Sequence, residues 1–104
     1  MKYRVVVTDR AGKELHNAAD YLAQRAPQAA NRWYTGIIRT IRELAVNPER
    51  HSLARESPKF SYDLREVLYG RRRNYRVIYT IRDSDVVVIA IRHTAQQELN
   101  PDEF

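Results

Sequence analysis

Cysteine is absent from the chain, which removes both a disulfide framework and a thiolate metal site. His16, His51 and His93 lie too far apart for a local ligand spacing, so neither a metal nor a cofactor is expected. Long hydrophobic runs are missing as well. No segment approaches the roughly 20 apolar residues of a membrane helix, and Met1-Lys2-Tyr3-Arg4 leads into a strand-like stretch instead of a signal-peptide apolar region. A soluble, cytoplasmic protein is the expectation. Repeats, low-complexity tracts and linkers are also lacking, so residues 1–104 read as one domain. Lysine is scarce: Lys2, Lys13 and Lys59 stand against 15 arginines.

The arginines set the character of the chain. A formal charge of +5 and a pI near 9.8 favour polyanionic partners, either nucleic acid or an acidic protein. Arginine's planar fork suits bidentate binding of phosphate or carboxylate.

Hydrophobic periodicity orders the elements. Tyr3 to Val7 reads as a short strand, followed by Thr8 or Asp9 as a helix cap. Ala11, Leu15, Ala18, Ala19 and Leu22 then recur at helical spacing, as do Ala30, Trp33, Ile37, Ile41 and Leu44 after Pro27. The short link between them predicts a helical hairpin. Residues 49–61 are polar and aperiodic and read as a loop. Strands follow at about 62–69, 75–82 and 86–92, and the segment from about 95 to 104 reads as a flexible tail. The expected fold is therefore α+β: a small, mostly antiparallel sheet in the order β-α-α-β-β-β, with the helical hairpin on one face and the other face open.

The densest cationic stretch runs from Asp63 to Tyr79 and continues to Arg82, carrying Arg65, Arg71, Arg72, Arg73, Arg76 and Arg82. Strand alternation places Tyr75, Val77, Tyr79 and Ile81 under the helices. The same argument sends Leu64, Leu68, Val87, Ile89 and Ile91 inward, with Arg65, Arg76 and Arg92 together on the open face. Glu66 then falls on the buried row, a conflict that a bulge, an edge position or an arginine partner would resolve. A face mixing cations with Val67, Ile78 and Ala90 has the character of a binding surface, and Arg71 to Arg73 are expected at the hairpin tip, exposed to solvent or to an acidic partner.

The ordered set Tyr3 to Thr8, Pro27-Gln28-Ala29-Ala30, Leu44 with Asn47-Pro48, Leu64-Arg65-Glu66-Val67, Asn74 to Tyr79 and Ile91-Arg92-His93 resembles the RelE/ParE superfamily of toxins from bacterial type II toxin–antitoxin systems, also called plasmid stabilisation proteins. The resemblance runs nearly end to end and implies a small sheet with two helices on one face. It also implies an acidic antitoxin that wraps and neutralises the toxin in a hetero-oligomer. RelE-like members resemble one another as ribosome-dependent mRNA endoribonucleases, whereas ParE-like members are taken to poison DNA gyrase and are not enzymes.

RNA cleavage by internal attack needs a base, an acid and cations for the phosphorane. In the ribonuclease branch Arg76 would match the arginine that holds the scissile phosphate, and Arg65 would fall near a lysine position. The site of a second, C-terminal arginine holds Gln96 instead. His93 is a candidate proton shuttle by its intrinsic pKa, although alternation sends it to the face opposite Arg92. Glu56 could act as a base in the manner of YoeB-like enzymes but reads as solvated in its loop. This shortage of acid–base groups favours a ParE-like gyrase inhibitor over a RelE-like ribonuclease acting on ribosome and mRNA, with a basic RNA-binding module third.

Overall fold

A computed structural model describes residues 2–104, so Met1 lies outside the described residues. Strand β1 (Arg4–Val7) runs into Thr8, whose Oγ1 accepts the Ala11 N–H at 3.1 Å and so caps helix α1 (Asp9–Ala23). Helix α2 (Pro27–Glu43) opens on its proline, where a missing N–H costs nothing. Strands β2 (Arg65–Tyr69), β3 (Tyr75–Arg82) and β4 (Asp85–His93) form an antiparallel meander. β1 adds in parallel beside β4, giving the sheet order β1-β4-β3-β2. The fold is α+β, in the predicted order of elements.

Ala11 and Leu15 of α1, Ile37 and Ile41 of α2, and Leu44 just beyond it pack on Val77, Tyr79, Val86, Val88 and Ile91. Tyr79 is fully buried and satisfies its hydroxyl by donating to the Pro48 carbonyl at 2.6 Å; burial pushes its pKa up to about 12.

The opposite face of the sheet is not open. Ala54, Leu64, Ile78, Ile89, Ala90 and Leu99 form a second core there, flanked by Phe60, Tyr62 and Val87. Part of this cover is the segment read as a flexible tail. Leu99 is 0% exposed, and Asn100 and Glu103 form a capping box around the turn Pro101–Glu103. Glu103 also pairs with Arg10 at 2.8 Å, and the Arg10 guanidinium lies 4.3 Å from the Phe104 ring centroid. Burying Leu99 contributes about 2 kcal/mol toward holding the segment down, alongside the capping box and the Arg10 pair.

Two strands face otherwise than alternation from the sequence implies. A bulge pairs Ile78 with Ala90 but Tyr79 with Val88, leaving Ile89 over. Val86, Val88 and Ile91 therefore face the helices, while Val87, Ile89 and Ala90 face the second core, so of the row Val87, Ile89 and Ile91 only Ile91 lies where alternation put it. In β2 the whole parity is reversed: Val67 and Tyr69 pack under the helices, and Leu64 lies in the second core. Register sets Arg65 opposite Tyr79 and Glu66 opposite Ile78, which removes the conflict at Glu66.

Candidate interaction surface

Arg76 occupies the middle of the sheet and is 3% exposed. Its Nε donates to Glu66 Oε1 at 2.8 Å, and its terminal nitrogens donate to Glu56 Oε2 and Oε1 at 2.9 and 2.6 Å. Glu56, read from sequence as solvated, is 0% exposed, and its Oε2 also accepts the Leu99 N–H at 3.1 Å. Burial works against the Glu56 charge, but the Arg76 and Leu99 hydrogen bonds outweigh it and hold the carboxyl down at about 2. Burial likewise opposes the Arg76 charge, and the two carboxylates reverse that and raise its pKa. The clamp ties the 49–64 segment, β3 and the C-terminal segment together, and it leaves Arg76 no nitrogen facing a partner.

Arg65 does not join Arg76 on one face. It lies on the helix side, where its guanidinium donates to the Glu49 and His51 carbonyls at 3.2 and 2.6 Å. Arg92 does stand opposite Arg76 in register. Its Nη2 donates to the Gln97 carbonyl at 2.5 Å, and its Nη1 lies 3.9 Å from Glu14. His93 projects to the face opposite Arg92, packing edge-on against Tyr75 at 5.2 Å between centroids, and its Nδ1 accepts the Ala95 N–H at 3.0 Å. Glu56 and His93 are thus on opposite faces of the sheet and form no acid–base pair.

The free cations are elsewhere. Arg71, Arg72 and Arg73 stand exposed at the hairpin tip, with Gly70 at φ 93°, Arg72 at φ 59° and Arg73 at φ 55°. Consecutive left-handed non-glycine residues cost about 1 kcal/mol each or more. The turn requires glycine at position 70, both for its positive φ and because a Cβ there would meet Asn74 Oδ1 at 2.8 Å. Helix α2 contributes Arg32 and Arg39, both exposed. Gly36 between them lies against Tyr69, where a Cβ would come within 2.0 Å of the hydroxyl, and Tyr69 Oη donates to the Trp33 carbonyl at 2.8 Å. Burial raises the Tyr69 pKa, and the nearby Arg39 charge partly opposes that shift. With Arg25, Arg42 and Arg82, these residues are exposed and make no ion pair among the described residues. The sequence reading placed the tip and Arg82 but missed the α2 row; its signal was the seven-residue spacing of Arg32 and Arg39 on one helix face.

The chain is thus a small α+β domain whose sheet-face arginine is buried in a carboxylate clamp, while its ion-pair-free guanidinium groups lie exposed on α2 and at the hairpin tip. A family model described as the ParE toxin of the type II toxin–antitoxin system, parDE, matches residues 5–98, and the chain belongs to this family. Among solved structures the fold is similar to one titled "Chromosomal ParDE TA system from P. aeruginosa", with a TM-score of 0.73 at 14% identity, covering 88% of this chain and 96% of that one. A search of curated protein sequences finds no match. Among the described residues no helix is long and apolar enough to cross a membrane, and no cluster of metal-ligating side chains occurs.

Proposed function

We propose that the protein is the growth-arresting toxin of a cytoplasmic toxin–antitoxin pair, acting by ParE-like inhibition of DNA gyrase and neutralised by an acidic antitoxin. The observation that carries this reading over ribonuclease action is the clamp on Arg76. A phosphate at that position would have to displace Glu56 and Glu66 from an arginine that is 3% exposed, and breaking such a buried pair costs about 3–5 kcal/mol. Without that cation, and with Glu56 and His93 on opposite faces, internal attack lacks a phosphorane clamp and an acid–base couple. The exposed Arg71 to Arg73, Arg32 and Arg39, which make no ion pair among the described residues, support an acidic antitoxin segment that folds on binding. The test is expression without the antitoxin. Growth should arrest with loss of negative supercoiling in a reporter plasmid, and co-expression of the acidic partner should restore both. Arrest with intact supercoiling and cleaved mRNA would overturn the assignment.

A further inference from the structure

β1 ends at Val7 opposite Val88, whereas β4 continues to His93. The missing neighbour leaves a cleft of about 640 Å³ between α1 and the end of β4, within the range of small-ligand sites. Two N–H donors on the free edge of β4 are already satisfied by side chains: Ile91 N–H donates to Glu14 Oε1 at 2.9 Å and His93 N–H to Gln96 Oε1 at 2.6 Å. An added strand is therefore not called for, and the lining suggests a different occupant. Tyr21, Tyr75 and His93 supply planar rings, and Asn17, Asn74 and Gln96 supply carboxamides.

We propose that this cleft binds a nucleobase bearing a phosphate, either as a free nucleotide or as an unpaired base in a single strand. Rings stack on any base, and carboxamides present the paired donor and acceptor that base edges require. Tyr21 is 54% exposed, which leaves the ring face that Arg25 does not cover accessible for stacking. The Ala95 N–H bond to His93 Nδ1 leaves Nε2 as the ring's N–H donor in the neutral imidazole. The phosphate is met at the rim. The Arg25 guanidinium stacks 3.9 Å from the Tyr21 centroid, and Arg73 directly precedes Asn74; neither makes an ion pair among the described residues. Glu14 is the one carboxylate in the lining, and its Oε2 is engaged by Arg10 Nε at 3.4 Å and Arg92 Nη1 at 3.9 Å. The site lies on the helix side of the sheet, away from Arg76, and does not depend on the gyrase reading.

The test titrates the full chain with AMP, GMP, CMP and UMP and with short single-stranded oligonucleotides. Trp33 is the only tryptophan and its ring lies 5.0 Å from that of Tyr75, so its emission reports occupancy. The side-chain amide NMR signals of Asn17, Asn74 and Gln96 give a second readout. Saturable changes are expected, and Tyr21→Ala and Arg25→Ala, both surface substitutions outside the cores, should each weaken binding about ten-fold. Saturation by oligonucleotides alone would assign the base to a strand, and saturation by mononucleotides to a free ligand. No change in either readout up to about 10 mM, or equal binding by the variants and the parent, would overturn the proposal.

Discussion

Replacing Arg76 with alanine should be among the most damaging single changes in this protein, and the loss should have an unusual pH dependence. The substitution leaves Glu56, 0% exposed, with the Leu99 N–H but without the two guanidinium bonds at 2.6 and 2.9 Å. An orphaned buried charge of this kind costs about 3–5 kcal/mol. At about 4–8 °C per kcal/mol for a domain near this size, Tm should fall by roughly 12–40 °C. In the parent protein Glu56 is held at about 2, below its ordinary 4.5, so its contribution is complete above pH 4.5 and is lost as pH falls toward 2. That shift corresponds to roughly 3 kcal/mol. In Arg76→Ala the sign should reverse: burial, the largest influence on Glu56, is then opposed only by backbone N–H bonds and raises its pKa, so acidification protonates it in the folded state and offsets part of the penalty. Urea denaturation followed by circular dichroism from pH 7 to pH 3 reads both slopes. The double variant Glu56→Leu with Arg76→Met should recover most of the stability, because Glu66 has a 23% exposed side chain and can be hydrated when left alone. A loss below about 1 kcal/mol in Arg76→Ala, or parallel pH slopes, would refute the clamp as the link between sheet and cover.

Leu99→Ala should cost about 2–5 kcal/mol in urea denaturation, because the side chain is fully enclosed; a mobile tail would make it neutral. Gly36→Ala places a Cβ 2.0 Å from the Tyr69 hydroxyl and must break its bond to the Trp33 carbonyl. The expected result is a net loss of about 1 kcal/mol despite alanine's better helix propensity, read as a lower urea midpoint. Arg72→Gly relieves a φ of 59° and should raise the unfolding free energy by about 1 kcal/mol, read as a higher urea midpoint, since no ion pair is lost among the described residues.

The elements were legible because their signals are local. Thr8, Pro27 and the helical spacing of Ile37 and Ile41 act over a few residues, and each is realised in the structure. Which way a strand faces was not legible, since one extra residue reverses every side chain after it. The bulge at Ile89 did this in β4, and in β2 the wish to bury Leu64 and Leu68 gave a parity that register contradicts. The cover over the second face was missed because a single leucine among polar residues carries no period. Asn100-Pro101-Asp102-Glu103 did carry a capping-box pattern, which marks an ordered turn. For the site, the hairpin tip was readable as a charge run, but the fate of Arg76 depended on Glu56, which is twenty residues distant and in a loop without periodicity. Pairing between such positions is a property of the folded chain.

The most direct test of the central claim is a supercoiling assay with purified protein, DNA gyrase and relaxed plasmid, run beside a ribosome-bound mRNA cleavage assay. Inhibited supercoiling, relief by an acidic antitoxin, and intact mRNA are expected. Unaffected supercoiling together with mRNA cleavage that Arg76→Lys or His93→Ala abolishes would contradict it.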